Sequence, residues 1–121
     1  SEADVERAPQ ISLRLAGSNQ PEFQDTLGYV QLRRGDVDEA ILNLQAAARG
    51  LPGNPTIAFN LAMAYAAADR VEQAREELER GFDLAGDRTD VPQLGPARIL
   101  ARRLEQAAAD PEATEEPDND L

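Results

Sequence analysis

The chain has 121 residues, of which 41% are hydrophobic, and this length and composition suit one domain with its own core. It contains no Cys and no His, and all 12 basic residues are Arg, which excludes thiolate and imidazole catalysis, zinc-finger ligands and Schiff-base lysines. The net charge of −11 argues against nucleic acid as a partner, because phosphate backbones bind basic surfaces. No apolar run is long enough to cross a membrane, so we expect a soluble protein, cytoplasmic or periplasmic, without direct membrane insertion.

The N-terminal region precedes the main pattern. Residues 1–8 are predicted to be disordered or frayed. Residues 9–17 form a short amphipathic stretch with Ile11, Leu13 and Leu15. This stretch stands where the second helix of a preceding unit would end, so we interpret it as a remnant of such a unit.

An internal repeat follows, with corresponding residues 34 positions apart, as Leu27 is from Leu61. The two units are residues 21–54 and 55–86, and each contains two segments with apolar residues at three- and four-residue spacings. That spacing is typical of amphipathic helices. The four predicted helices are Pro21 to Arg34, Val37 to Arg49, Pro55 to Ala68 and Val71 to Ala85.

The helix boundaries have recognisable signals. Asn54 can accept hydrogen bonds from the first amides of the following helix, and Gly35 can adopt the left-handed conformation that ends one. Each unit has one predicted capping box at the start of its second helix. The pairs are Asp36 with Glu39 in the first unit and Asp69 with Glu72 in the second. The turns within each unit are short, which predicts antiparallel hairpins.

The region after the second unit is less regular. Residues 87–95 are mostly polar and contain Pro92, which predicts a loop. Residues 96–108 are predicted to form a helix that caps the array and completes a helical domain of residues 9–109. Residues 110–121 contain six acidic residues and two prolines and are predicted to be a disordered tail.

The repeat resembles the tetratricopeptide repeat family, whose period is 34 residues. The matching residues are Leu27, Gly28, Gly35, Ala40, Leu44, Ala47 and Pro52 in the first unit and Leu61, Ala62, Tyr65, Ala74 and Leu78 in the second. The second unit departs from the family pattern near its end, at Gly81 and Gly86. The resemblance implies an all-α fold of antiparallel helical hairpins stacked as a short right-handed superhelix.

A narrower resemblance concerns residues 25–36. This stretch is similar to the last repeats of long bacterial tetratricopeptide proteins linked to exopolysaccharide and surface-protein export. Many of those proteins are exported or lipid-anchored, which would make the parent protein an exported one.

The family resemblance also implies a binding surface, because the first helices of stacked hairpins line a concave groove. The corresponding residues are Glu22, Asp25, Thr26, Tyr29, Leu32 and Arg33 in the first unit and Thr56, Phe59, Asn60, Met63, Ala66 and Ala67 in the second. Four of these, Tyr29, Leu32, Phe59 and Met63, are large apolar or aromatic residues that the core of each repeat does not require. We expect them to bind a partner, unless a flanking segment of the chain covers them.

The charge of the predicted groove bears on its ligand. One subgroup of the family clamps a terminal carboxylate with Lys and Asn, but here Asp25 and Tyr29 occupy two of those positions and only Asn60 matches. A carboxylate clamp is therefore not expected. Glu22 and Asp25, beside Tyr29 and Phe59, suggest instead a ligand with apolar anchors and a basic residue, although Arg33 carries the opposite charge.

The remaining carboxylates have structural explanations. Glu76, Glu77 and Glu79 lie near Arg75 and Arg80, which predicts a solvated, salt-bridged helix face. We expect no enzyme activity, no cofactor and no metal. The predicted function is a protein interaction module, a scaffold or adaptor that binds another protein or peptide. The alternative is a structural segment of a longer repeat protein that forms a homo-oligomer through the ends of the array.

Overall fold

The computed structural model describes residues 20–109, which form five α-helices. They are α1 Pro21–Arg34, α2 Val37–Gly50, α3 Pro55–Ala67, α4 Val71–Ala85 and α5 Leu94–Ala109. The described part of the chain contains no β-strand. The predicted all-α fold of helical hairpins is confirmed, and the first four helices begin and end within one residue of their predicted bounds.

The last helix differs slightly from its prediction, because α5 begins at Leu94 rather than at Pro96. Pro96 lies in the first turn, where a backbone N–H has no partner within the helix, so the proline costs no hydrogen bond there. The predicted segments 1–8, 9–17 and 110–121 lie outside the described residues. The assignment of residues 9–109 to one domain therefore stays a prediction.

Two predicted helix boundaries are confirmed in detail. Gly35 ends α1 with a φ of 91°, in the left-handed region that favours glycine. The Asn54 side chain caps α3, because its Oδ1 accepts hydrogen bonds from the backbone N–H of Thr56 at 2.9 Å and of Ile57 at 3.3 Å.

The two predicted capping boxes are wrong. Asp36 precedes α2 but its side chain makes no capping hydrogen bond. Asp69 has a φ of 63° and lies in the turn after α3, so that Arg70 becomes the residue before α4. In both turns a backbone bond closes the end of the preceding helix instead, from Asp36 N to Gln31 O at 2.9 Å and from Arg70 N to Tyr65 O at 2.8 Å.

The core consists of two clusters that share α3. The first joins α2, α3 and α4 and contains Ala40, Ile41, Leu44, Leu61, Ala64, Tyr65 and Ala74. The second joins α3, α4, the loop before α5 and α5 itself, and contains Phe59, Ala62, Leu78, Ala85, Val91, Leu94 and Ala97. Helix α3 therefore packs on both sides, and α5 covers the side that faces away from α2.

Polar contacts fix the elements relative to one another. Gln45 of α2 donates to the Tyr65 hydroxyl of α3 at 2.9 Å. Arg80 of α4 donates to the carbonyl oxygen of Pro52 at 2.7 Å, across the turn between the hairpins. The first bond joins α2 to α3, and the second joins α4 to the turn between α2 and α3.

Candidate functional site

Two adjoining cavities lie where α1, α3 and α5 face one another. The first has a volume of about 370 Å³ and is lined by Tyr29, Leu32, Arg33, Met63, Gln93 and Pro96. The second has a volume of about 440 Å³ and is lined by Met63, Ala66, Ala67, Pro96, Ile99, Leu100 and Arg103. Because Met63 and Pro96 line both, the two cavities adjoin, and we call them together the α1–α3–α5 groove.

The lining of this groove is mainly apolar. Side chains from α3 contribute two alanines, Ala66 and Ala67, whose small size leaves room for an occupant above them. Tyr29 and Leu32 of α1 border one side, and Ile99 of α5 borders the other. The groove can therefore accept apolar side chains of a ligand.

The helical spacing of the sequence explains why these residues share one surface. On α5, Ile99 follows Pro96 by three residues and Arg103 follows Ile99 by four, so all three side chains lie on one helix face. On α3, Met63 and Ala66 are likewise three residues apart. Each helix thus contributes a single stripe to the groove.

The predicted partner-binding residues divide into two groups. Tyr29, Leu32, Arg33, Met63, Ala66 and Ala67 line the groove. The other six predicted residues, Glu22, Asp25, Thr26, Thr56, Phe59 and Asn60, lie outside its lining. Glu22 and Thr26 are exposed on α1, and Thr56 donates a hydrogen bond to the carbonyl oxygen of Pro92 at 3.1 Å.

The expectation that Phe59 offers exposed apolar surface is wrong. Its side chain is 0% exposed and belongs to the second core cluster. The ring lies against Phe82, with ring centroids 5.1 Å apart, and against the backbone of Gly81. The capping helix α5 and the loop before it complete its burial, as the alternative interpretation of the sequence anticipated for a flanking segment.

Asn60 is also buried, and its amide group is already bonded at both ends. Its Nδ2 donates to Asp25 Oδ1 at 2.9 Å, and its Oδ1 accepts from Gln93 Nε2 at 2.9 Å. This chain of hydrogen bonds links α1, α3 and the residue before α5. Asn60 therefore positions the three elements that line the groove, and its bonds explain why it does not face a ligand.

The environment of Asp25 changes its acidity. Burial raises the pKa of the Asp25 carboxyl above its ordinary value, and the hydrogen bond from Asn60 opposes that increase because it favours the charged form. A carboxylate that is half-buried and bonded to a neighbouring amide is a poor contact for a basic ligand. The basic residue that the sequence suggested for the ligand thus loses one of its two expected partners.

The sequence interpretation missed the residues of α5 and the loop before it: Gln93, Pro96, Ile99, Leu100 and Arg103. These residues lie beyond the 34-residue pattern, so alignment of the two units could not identify them. A signal was present, because Ile99 and Arg103 are spaced as residues on one helix face.

The predicted salt-bridged face of α4 is confirmed in part, because Glu77 is the one of the three predicted glutamates that forms an ion pair within residues 20–109. Arg80 pairs with Glu77 at 2.8 Å, and Arg75 pairs with Glu72 at 3.5 Å, both at a spacing of three residues. No group of three or more carboxylates within residues 20–109 is arranged to hold a metal ion. Over the same range, the helices lack the combination of length and hydropathy that crossing a membrane requires.

Comparison with known families identifies the repeat. The family model described as "Tetratricopeptide repeat" matches residues 31–94, which extend from α1 to the start of α5. Neither the curated proteins nor the solved structures that were searched gave a significant match. Tetratricopeptide repeats are non-catalytic modules that generally mediate protein–protein interaction. The match covers more than half of the chain, and we conclude that this protein belongs to the tetratricopeptide repeat family.

Proposed function

We propose that this chain is a protein interaction module that holds a peptide or helix of another protein in the α1–α3–α5 groove, without catalysis of its own. The observation that carries the proposal is the exposed apolar lining of the groove. Ile99 of α5 is 54% exposed and lines the same cavity as Met63. Burial of an apolar side chain of this size against a partner stabilises the complex.

The dimensions of the groove favour a peptide segment. Each cavity is within the range of roughly 300–1,000 Å³ that is typical of ligand sites, and the two adjoin at Met63 and Pro96. A helix or extended segment can place one apolar side chain in each cavity, as in helix-in-groove recognition. The lining contains Tyr29, and aromatic residues are common among the residues that dominate binding energy.

The test compares binding by the wild-type chain with that of a groove variant, Tyr29→Ser with Met63→Ser and Ile99→Ser. Phe59 is left intact because its substitution would disrupt the core. The control is Leu42→Ser, since Leu42 is 66% exposed on α2 and lies outside the groove lining. Each immobilised protein captures partners from a lysate of the source organism, and circular dichroism verifies equal helicity.

We expect the same protein to be captured by the wild-type chain and by the Leu42 variant and to be lost by the groove variant. Direct titration with the purified partner then gives the affinity. Equal capture by the wild-type chain and the groove variant would overturn the proposal.

A second candidate function is self-association through the end of the array, and the outer side of α1 favours it. Phe23 is 36% exposed and Val30 is 43% exposed, and their spacing of seven residues places them on one face of α1. Apolar residues that remain exposed at the end of a repeat array can be buried against another copy. This assembly does not involve the groove.

Sedimentation equilibrium at several protein concentrations distinguishes the two candidates. Self-association through α1 predicts an average mass that rises with concentration and that Val30→Glu returns to the monomer value. A monomeric mass at all concentrations would exclude this second candidate and leave the groove proposal unaffected.

We further propose that the chain is part of a bacterial scaffold protein of the export-associated type. The support is the similarity of residues 25–36 to the last repeats of such proteins. The parent protein would then act in or at the boundary of the periplasm. Fractionation of cells that produce the tagged parent protein tests this assignment, and recovery only from the cytoplasm would contradict it.

A further inference from the structure

The charged residues that line the α1–α3–α5 groove are both basic. They are Arg33 on α1 and Arg103 on α5, and the lining contains no carboxylate. This is unusual for the chain as a whole, which has 23 acidic residues against 12 basic ones. The groove therefore has the opposite charge to the rest of the protein.

Neither arginine side chain has a bonding partner within residues 20–109. The ion pairs within residues 20–109 involve Arg75 and Arg80, which also donate to the carbonyl oxygens of Leu104 and Pro52. Over the same range, the side chains of Arg33 and Arg103 form no hydrogen bond or ion pair, and both residues are exposed. Within residues 20–109, no side chain competes with a ligand for either guanidinium group.

From these observations we infer that the groove recognises a protein segment in which apolar residues are flanked by side-chain carboxylates. The inference rests on the proposed function, because it names the chemistry of the partner for the same groove. Arg33 and Arg103 each bind a carboxylate of the segment, while its apolar residues fill the cavities around Met63. Guanidinium suits this role because it forms paired hydrogen bonds with a carboxylate and is weakly hydrated beside apolar surface.

The structure also explains why the acidic residues near the groove do not select a basic partner. Asp25 accepts the hydrogen bond from Asn60 and is half-buried, and neither Asp25 nor Glu22 lines the cavities. The charged side chains that line the cavities are therefore those of the two arginines. This reverses the charge that the sequence alone suggested for the ligand.

The test uses three fluorescent synthetic peptides that share one helical stripe of leucines and differ only at the flanking positions, which are Glu, Gln or Lys. Fluorescence anisotropy measures their binding to the full chain at low and high salt. The groove arginines predict that the Glu peptide binds most tightly and the Lys peptide most weakly. The net charge of −11 alone predicts the opposite order, so the two explanations are separated by the sign of the effect.

The decisive variant is Arg33→Glu with Arg103→Glu. It should weaken binding of the Glu peptide by about fivefold or more and invert the order of the three peptides, with a smaller effect at high salt. The matched control is Arg34→Glu with Arg98→Glu, which changes the net charge equally on the same two helices at exposed residues outside the groove lining. The control should retain the wild-type order.

Several outcomes overturn the inference and differ in what they imply for the proposed function. If the Lys peptide binds the wild-type chain best, or if the control variant inverts the order as well, the charge assignment is wrong. The groove function survives that result when the Tyr29, Met63 and Ile99 variant still loses binding. If no peptide binds the wild-type chain, both the inference and the proposed function fail.

The acidic occupant could also belong to this chain, since residues 110–121 carry six carboxylates. A full-length variant in which these six residues are Asn or Gln tests this. If that variant binds the Glu peptide more tightly than the wild-type chain does, residues 110–121 occupy the groove and the inference of a separate partner is overturned. A concentration-dependent mass without peptide that is lost in the Arg33 and Arg103 variant would assign the groove to a second copy, with the same consequence.

Discussion

Helices α1 and α3 hold equivalent places in the two hairpins, yet they differ greatly in burial. In α1 only Gln24 and Gly28 are buried. In α3 the buried residues are Pro55, Ile57, Ala58, Phe59, Asn60, Leu61, Ala62, Ala64 and Tyr65. The burial of the first helix of a hairpin thus depends on its neighbours. Helix α3 lies between α2 and α5, whereas α1 is the first helix of the described array.

The position of a residue within the repeat therefore does not determine how deeply that residue is buried. Leu27 and Leu61 align in the two units, but Leu27 is partly buried and Leu61 is 3% exposed. Repeat arrays obtain their stability from interfaces between neighbours, so a residue contributes according to the elements that pack on it. Substitutions at related positions should therefore have unequal effects.

The largest difference is expected between two phenylalanines. Phe59→Ala in α3 should reduce the free energy of unfolding by about 3–5 kcal/mol, because it empties a fully buried site. Phe23→Ala in α1 should cost less than half as much, since Phe23 is already partly exposed. Urea unfolding monitored by circular dichroism measures both. Similar losses for the two variants would contradict the contrast between α1 and α3.

A steric test of the α3 environment uses two helical glycines. A Cβ at Gly81 would overlap Cε1 of Phe59, whereas a Cβ at Gly95 would have no neighbour within 4 Å. Gly81→Ala should therefore destabilise the protein by about 1–3 kcal/mol through overpacking. Gly95→Ala should be neutral or stabilising by up to about 1 kcal/mol, because alanine favours a helix more than glycine does. Thermal unfolding distinguishes these signs, and a stabilised Gly81 variant would show that the ring of Phe59 can move aside.

The helix starts provide a smaller contrast. Asn54→Ala should cost about 1 kcal/mol, because it removes the acceptor for the first amides of α3. Asp36→Ala should cost only a few tenths of that, since the Asp36 side chain makes no capping bond. Denaturant titration of both variants checks the difference, and an equal cost would mean that Asp36 caps α2 in solution.

The smallest expected effect concerns Asp25, whose pKa is raised by burial. A raised pKa means that the folded state favours the protonated carboxyl, so the contribution of Asp25 to stability falls as the pH rises through that pKa. Asp25→Asn keeps an oxygen that accepts from Asn60 and removes the buried charge. The variant should have a higher Tm than the wild-type chain at neutral pH, and the difference should shrink as the pH approaches the ordinary aspartate value of 3.8.

Calorimetric scans of both proteins over this pH range measure the Tm difference directly. Comparison with the wild-type chain removes the contribution of the other carboxylates, which titrate equally in the two proteins. A Tm difference that does not depend on pH would contradict the assignment of the raised pKa to Asp25.

The fold was predictable because local signals and the repeat agreed. The 34-residue period and the apolar spacing located α1 to α4, and both Gly35 and Asn54 have the boundary roles that their chemistry indicates. The capping boxes failed for a physical reason. Short turns close the preceding helix through backbone bonds, and Asp69 serves as the left-handed residue in the place that Gly35 has in the first unit.

The candidate site was only partly predictable, because a groove depends on three helices and the repeat pattern covers two of them. Tyr29, Leu32, Arg33 and Met63 could be placed by alignment, and they line the groove. The burial of Phe59 was only the alternative expectation, because it requires Val91 and Leu94 to pack against Phe59 from a segment that the sequence predicts to be a polar loop. Arg103 and its charge were missed because this residue lies beyond the 34-residue pattern.

One methyl group tests the central claim that the groove is the binding surface. Met63 is the only methionine of the chain and is shared by both cavities, so methyl-labelled methionine gives a single NMR signal from the centre of the groove. We expect titration with the Glu-flanked peptide to shift this signal saturably, with the affinity that anisotropy gives. Peptide binding that leaves the Met63 methyl signal unchanged would contradict the account.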